Sequence, residues 1–135
     1  MLEFAGEKTL TEFMEARKSN TGMQRQVSDD EVRLIMGKLF QATEYLHRNN
    51  ICHRDLKPDN IMLTADGKSE FKFEPLKVKI VDFNVAVEVD QDTQKIIGAT
   101  GLREWSAPET RQKGVSDLKI DSWSLGCVMY YICTG

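Results

Sequence analysis

The chain has no surplus of basic residues. Its 18 Lys and Arg are outnumbered by 21 Asp and Glu, for a formal net charge of −3. A dominant nucleic-acid footprint needs a basic face, so the charge balance argues against that class of partner, although not against a local phosphate site. Cysteine is scarce. Cys52, Cys127 and Cys133 are odd in number, two of them lie in an apolar run, and none stands at a metal-ligand spacing. They are expected to be reduced, mostly buried thiols of an intracellular protein, cytoplasmic with the nucleus also open to it. Met1-Leu2-Glu3-Phe4 shows no basic stretch followed by an apolar core, so no signal peptide is expected. The apolar segment from Leu118 holds Lys119 and Asp121 and is too short to span a bilayer comfortably. A buried soluble helix is the better reading, and no membrane partner is expected. The chain also lacks internal repeats, a heptad seam and low-complexity tracts.

What is present suits one soluble globular domain of 135 residues, with 41% hydrophobic and 29% charged residues. Residues 1–5 read as a short strand or an extended entry. From Thr9 to about Arg17, Leu10, Phe13 and Met14 recur at helical spacing, and Lys18 to Gln26 is a polar loop. Ser28 and Glu31 form an S-x-x-E capping box. After it Val32, Ile35, Met36, Leu39, Ala42 and Leu46 build one apolar helix face, ending around His47–Asn50. Ile61-Met62-Leu63 and Val78-Lys79-Ile80-Val81 are predicted strands, joined by a polar connection with an Asp66-Gly67 turn signal. Asn84 to Thr100 shows no period and reads as a long loop. Pro108 opens a short helix with Glu109 in its first turn. Ile120 to about Cys133 is apolar nearly all round, the pattern of a buried helix.

Between the long helix and the first of those strands stands I-C-H-R-D-L-K-P-D-N-I-M-L, from Ile51 to Leu63. An ordinary turn needs far less chemistry. It is followed by Val81-Asp82-Phe83-Asn84, then Ala107-Pro108-Glu109, then Asp121-Ser122-Trp123-Ser124-Leu125-Gly126. These four motifs in this order resemble the protein kinase catalytic domain, over nearly the whole chain. The resemblance implies a mainly helical C-terminal lobe with one β-hairpin from Ile61 to Val81, in an α+β architecture.

Phosphoryl transfer to a hydroxyl depends on positioning and charge neutralisation more than on covalent help. By resemblance, Asp55 orients the acceptor hydroxyl and takes its proton, and Lys57 stabilises charge on the moving group. Asn60 and Asp82 would hold Mg²⁺, a hard cation that prefers oxygen ligands. Lys57 two residues after Asp55 resembles the serine/threonine-specific pattern, so the implied partners are ATP and a protein Ser or Thr. The resemblance places Glu3 to Ala5 at the hinge that bonds adenine, and Met62 on the floor of the adenine pocket. Met62 taken alone would be a strand core residue. His53 and Phe83 read as packed members of an internal column rather than as catalytic groups. Arg54 is implied to meet a phosphate on the activation loop, where Thr93 and Thr100 are candidates; ordinary loop threonines are at least as good a reading. Asp121 is expected to be a buried anchor for backbone N–H groups of the H-R-D loop.

The sequence departs from the family pattern in three ways. It holds no Gly-rich phosphate loop, no V-A-I-K lysine and no helix bearing that lysine's Glu partner. It runs from the hinge into the central helix, before the later helices that would supply the Arg partner of Glu109. Residues 1–135 thus read as a partial kinase domain, expected to be marginally stable or aggregation-prone and inactive when isolated. The alternative function is a non-catalytic, pseudokinase-like binding module or a truncated product. Asn84 stands where Gly is usual and is expected to substitute for it in a left-handed backbone, with Asp82 still able to bind metal. Leu102 stands where serine/threonine kinases usually carry Thr.

Overall fold

The computed structural model describes residues 8–18, 27–64, 76–90, 92–93, 95–97, 104–111 and 115–135. Among these, the dominant element is the 20-residue helix Asp29–Arg48, which we label α2. Its start follows from its cap. Ser28 is extended (φ −68°, ψ 155°), its Oγ accepts the Glu31 N–H, and the Glu31 carboxylate accepts the Ser28 N–H at 2.8 Å. Such a reciprocal cap contributes about 1 kcal/mol. Asp29, Asp30 and Glu31 in the first turn and His47 and Arg48 in the last complement the helix dipole. Glu31 also receives both terminal nitrogens of Arg17, at 3.1 and 2.5 Å. Arg17 belongs to α1 (Leu10–Lys18), whose Phe13 ring lies under its guanidinium, so the cap of one helix is also the clamp on the other. Burial pushes the Glu31 carboxyl upward, but Arg17 and Ser28 outweigh it and leave the group below its ordinary value.

The apolar stripe of α2, led by Ile35, Met36 and Leu39, packs with Leu10 of α1 and with Leu125 and Val128 of α3 (Lys119–Thr134) in one core. Ile61 and Leu63 enter the same core from strand β3 (Ile61–Thr64). Strand β3 is central in a three-stranded antiparallel sheet, between β1 (Lys8–Thr9) and β4 (Lys77–Ile80), in the register Lys8↔Leu63 and Ile61↔Ile80. The hairpin is where the sequence places it; its third strand, two residues long, carries no period of its own. Cys52, Val89, Ile96, Ala107 and Ile120 form a second core cluster.

Three expectations are corrected. The stretch read as a loop from Asn84 to Thr100 contains β5 (Val87–Glu88), paired with β2 (Ile51–Cys52), and β6 (Ile96–Ile97), paired with β7 (Val115–Ser116). Two-residue strands are too short to show alternation, and their partners are distant in sequence. Helix α3 is not buried all round: Trp123 is 50% and Tyr130 71% exposed, while Ile120, Leu125, Val128 and Ile132 are buried. When every face is apolar, periodicity cannot say which face packs. The thiols are not mostly buried either, since Cys127 is half-buried and Cys133 exposed on that same helix. No helix among the described residues is long and apolar enough to cross a membrane. The expected hinge, Glu3 and Ala5, and the connection after Thr64 lie outside the described residues, as do Thr100 and Leu102.

Candidate active site

The loop Ile51–Asn60 leaves α2 through Asn50, which turns left-handed at φ 57°. Its carbonyl accepts the Val89 N–H at 2.6 Å, and the β2–β5 pairing follows directly. Beneath the loop lies Asp121, in the first turn of α3 and fully buried. An isolated buried carboxylate is costly, so its lone pairs must be met. Here they are. Oδ1 accepts the Arg54 N–H at 2.9 Å; Oδ2 accepts the His53 N–H at 2.9 Å, the Cys52 S–H at 3.4 Å and the His47 ring at 2.9 Å. Burial alone would raise the Asp121 carboxyl, but His47 and the two backbone donors bring it below its ordinary value. The carboxylate is therefore ionised and acceptor-only, which makes His47 Nε2 the donor. The same surroundings act oppositely on Cys52, whose thiol is driven up by burial and by the Asp121 charge. Asp121 thus makes the backbone contacts the resemblance implies for it. His47 carries no role in the sequence motifs, and Cys52 reads there only as a buried thiol. A signal for His47 existed: it lies one turn beyond buried Thr43, a polar residue continuing the inner face of α2.

Held from below, the chain takes a second left-handed residue at Arg54, φ 66°. For a long side chain this conformation is uncommon and must be imposed by its surroundings. The Arg54 Nε donates to the Val85 carbonyl at 2.6 Å, so the side chain reaches the segment after Asp82. His53 is fully buried, as expected. Its ring is also a connector. Nδ1 accepts the Asp55 N–H at 3.3 Å, which leaves Nε2 as the donor to the Val81 carbonyl at 3.1 Å. Val81 in turn donates its N–H to the Asn60 carbonyl at 2.9 Å. Val81 is therefore fastened on both sides to the loop of Asp55, and Asp82, the next residue, stands beside that loop.

The side chains above are arranged tightly. Lys57 Nζ lies 2.8 Å from Asp55 Oδ2, both side chains mostly shielded. The Asn60 amide donates to the Asp55 carbonyl at 2.8 Å and to Asp55 Oδ2 at 3.0 Å. With its N–H groups so committed, Asn60 has its Oδ1 as the remaining polar atom, a hard oxygen acceptor. Leu56, Pro58 and Ile61 are buried under this set and fix its base. Asp59 points the other way and accepts the Thr11 hydroxyl at 3.1 Å, tying α1 to the loop. Met62 is half-buried in β3, opposite Thr9 and Lys79.

Asp82 is exposed and adopts φ 64°; its Oδ1 accepts the Asn84 N–H at 3.4 Å. The left-handed step expected at Asn84 is therefore one bend earlier. A short acidic side chain tolerates that conformation because it can bond to the backbone nearby, so Asn84 has no strained backbone to relieve. The Phe83 ring stands edge-on to His53, centroids 4.8 Å apart, and is 46% exposed. Glu109 lies in a 3₁₀ turn, Pro108–Arg111, and is exposed. Thr93 is exposed, with its N–H on Asp90 Oδ1 at 2.9 Å.

Comparison with known proteins agrees with this geometry. The family model described as "Protein kinase domain" matches residues 1–135. The chain is 41% identical over 110 residues to sperm motility kinase 2B of Mus musculus, covering 81% of this chain and 21% of that protein. It is 36% identical over 110 residues to serine/threonine-protein kinase KIC1 of Saccharomyces cerevisiae, covering 81% of this chain and 9% of that one. Over all 135 residues it is 30% identical to serine/threonine-protein kinase PLK1 of Xenopus laevis, 20% of whose length is covered. The chain thus spans about a fifth or less of the length of these curated relatives.

Proposed function

The chain belongs to the protein kinase domain family, and from that premise we propose that it carries the phosphoryl-transfer centre of a serine/threonine protein kinase. The reaction moves the γ-phosphoryl group of ATP to a Ser or Thr hydroxyl of a protein. The observation that supports this most directly is the hydrogen-bonded run from Asp55 N through the His53 ring to Val81 and on to Asn60. It makes one unit of the loop bearing Asp55 and the segment bearing Asp82.

Each side chain then has a role that its neighbours allow. Asp55 Oδ2 is occupied by Lys57 and Asn60, so Oδ1 is the atom to receive the hydroxyl proton of the acceptor. A carboxylate is a weak bulk base, and its contribution lies in placement and late proton acceptance. Lys57, held 2.8 Å from Asp55, brings positive charge to the point where the hydroxyl meets the phosphoryl group. The donor set also fits a magnesium ion. Asn60 Oδ1 and the exposed Asp82 carboxylate are hard oxygens of the kind the ion prefers. ATP with its magnesium supplies the phosphoryl group and most of the charge neutralisation. Glu3, Ala5 and Met62 are proposed for the adenine side.

The test is Mg²⁺-dependent phosphorylation of a protein substrate. Asp55→Asn is expected to lower turnover by roughly 10²–10⁴-fold with ATP affinity retained, while Asp82→Asn is expected to abolish the Mg²⁺ dependence of ATP binding. Unchanged turnover in Asp55→Asn would refute the assignment. Nucleotide binding without turnover in the wild-type chain would favour a non-catalytic binding module.

A further inference from the structure

We propose that Thr11, on α1, is a positioning residue for Asn60, acting through Asp59, 48 residues away in sequence. The inference rests on the function proposed above, in which Asn60 Oδ1 is a ligand of the magnesium ion. Asn60 ends the single 3₁₀ turn Pro58–Asn60. The turn has two backbone bonds of its own: the Asn60 N–H to the Lys57 carbonyl at 3.0 Å, and the Ile61 N–H to the Pro58 carbonyl. Lys57, at its N-cap position, gives it no side-chain cap. Hydrogen bonds in so short and tight a helix have poor geometry, so its side chains must hold its orientation. Pro58 and Asn60 do so from within, both buried, with the Asn60 amide committed to Asp55. The remaining corner is Asp59, which is exposed. Among the described residues, its side chain has the Thr11 hydroxyl as its hydrogen-bond partner, at 3.1 Å.

Helix α1 is a firm mount for that hydroxyl. It starts with a reciprocal cap of its own: Thr9 Oγ1 accepts the Glu12 N–H at 3.1 Å, and the Glu12 carboxylate accepts the Thr9 N–H at 2.8 Å. Leu10, Phe13 and Met14 are buried in the core, and Arg17 clamps the far end to Glu31. Thr11 is the second residue of this helix, so the residues three and four places before it precede the helix. Its hydroxyl therefore has no helical carbonyl to fold back on, the usual fate of a threonine further along a helix. It is left to donate to a carboxylate, a stronger acceptor than a neutral oxygen. Thr9 meanwhile pairs in β1 with Met62 of β3. One short segment thus touches the strand proposed for the adenine side and, through Asp59, the turn proposed for the metal. Loss of the Thr11 hydroxyl would free that turn to shift, and Asn60 with it.

The test uses the full chain. Thr11→Val keeps the shape and removes the donor, Thr11→Ser keeps the donor, and Asp59→Ala removes the acceptor. Amide hydrogen exchange is read at Asn60 and Ile61, whose N–H groups make the bonds of the turn, with Leu39 in the middle of α2 as the measure of overall stability. Relative to Leu39, these two amides are expected to exchange about fivefold faster in Thr11→Val and in Asp59→Ala, and to stay within about twofold of wild type in Thr11→Ser. The double variant Thr11→Val/Asp59→Ala is expected to match either single one, since one bond is lost only once. Losses that multiply to about 25-fold in the double variant, or wild-type protection in Thr11→Val, overturn the proposal. Should Thr11→Val not fold, the other two decide: protection lost in Thr11→Ser, or kept in Asp59→Ala, contradicts it. In the activity arm, the Mg²⁺ concentration for half-maximal phosphorylation is expected to rise about fivefold in Thr11→Val, with kcat at saturating Mg²⁺ within about twofold of wild type and recovery in Thr11→Ser. A fall in kcat with an unmoved Mg²⁺ requirement would count against positioning of Asn60. Wild-type inactivity would count against the kinase function and leave the exchange result standing.

Discussion

Asp121 and Asp82 both stand against the loop that carries Asp55 and are treated in opposite ways. Asp121 is sealed under the loop with every oxygen bonded to the protein. Asp82 is exposed, and its Oδ1 accepts the Asn84 N–H over a long 3.4 Å. The first carboxylate spends its charge on protein donors and fixes shape. The second is left open to solvent. The difference teaches that the residue most essential to this loop's geometry need not touch the chemistry, and that the residue proposed to touch it contributes little to holding the fold.

That contrast can be broken most directly at Asp121. Asp121→Ala leaves the His53 and Arg54 amides and the His47 ring without their acceptor, and should destabilise the chain by about 3–5 kcal/mol, read as a shift in the urea midpoint. If the loss were no larger than that of an exposed site, the two carboxylates would not differ as described. A second expectation concerns acid. The folded-state value of Asp121 is depressed, so its contribution is complete above the unfolded value and is lost as pH falls through the folded one. Stability of the wild-type chain should therefore drop more steeply below about pH 4 than that of Asp121→Asn. Glu31 is depressed too, but it acts equally in both proteins and cancels in the comparison. Parallel pH curves would show that Asp121 is not the group responsible.

Smaller effects sharpen the picture. Ser28→Ala removes the side-chain cap of α2 and should cost about 1 kcal/mol. It should leave the exchange rates of the His53 and Arg54 amides unchanged relative to Leu39, because His47 lies at the other end of the helix. Smallest of all, Asp82→Asn should change stability by no more than about 0.5 kcal/mol, as surface substitutions do. A large loss there would mean that Asp82 is structural after all.

Much of the framework was legible because it is local. The Ser28–Glu31 box placed the start of α2, the spacing of Ile35, Leu39 and Leu46 named its inner face, and the short runs Ile61-Met62-Leu63 and Val78-Lys79-Ile80-Val81 about an Asp66-Gly67 turn signal marked the hairpin. The four motifs, read by resemblance, drew attention to Asp55, Asn60, Asp82 and Asp121. What escaped was long-range. His47 meets Asp121 across 74 residues and Arg54 meets Val85 across 31, and no periodicity encodes either meeting. The two-residue strands owe their existence to distant partners, and the exposed side of α3 carries the same apolar residues as its buried side. The placement of the left-handed step at Asp82 instead of Asn84 follows from how the whole turn is fastened, which the two residue types alone do not decide.

Among the described residues, three that are not glycine, Asn50, Arg54 and Asp82, carry positive φ, and all three bracket the proposed site. A β-branched side chain fits that region of backbone space worst of all. Valine, isoleucine and threonine are thereby disfavoured at these points whatever the surrounding polarity, while asparagine, aspartate and glycine remain admissible. The vocabulary open to this stretch of chain is thus narrowed twice, once by charge and once by steric shape, and a replacement that satisfies the first filter alone would still distort the turn.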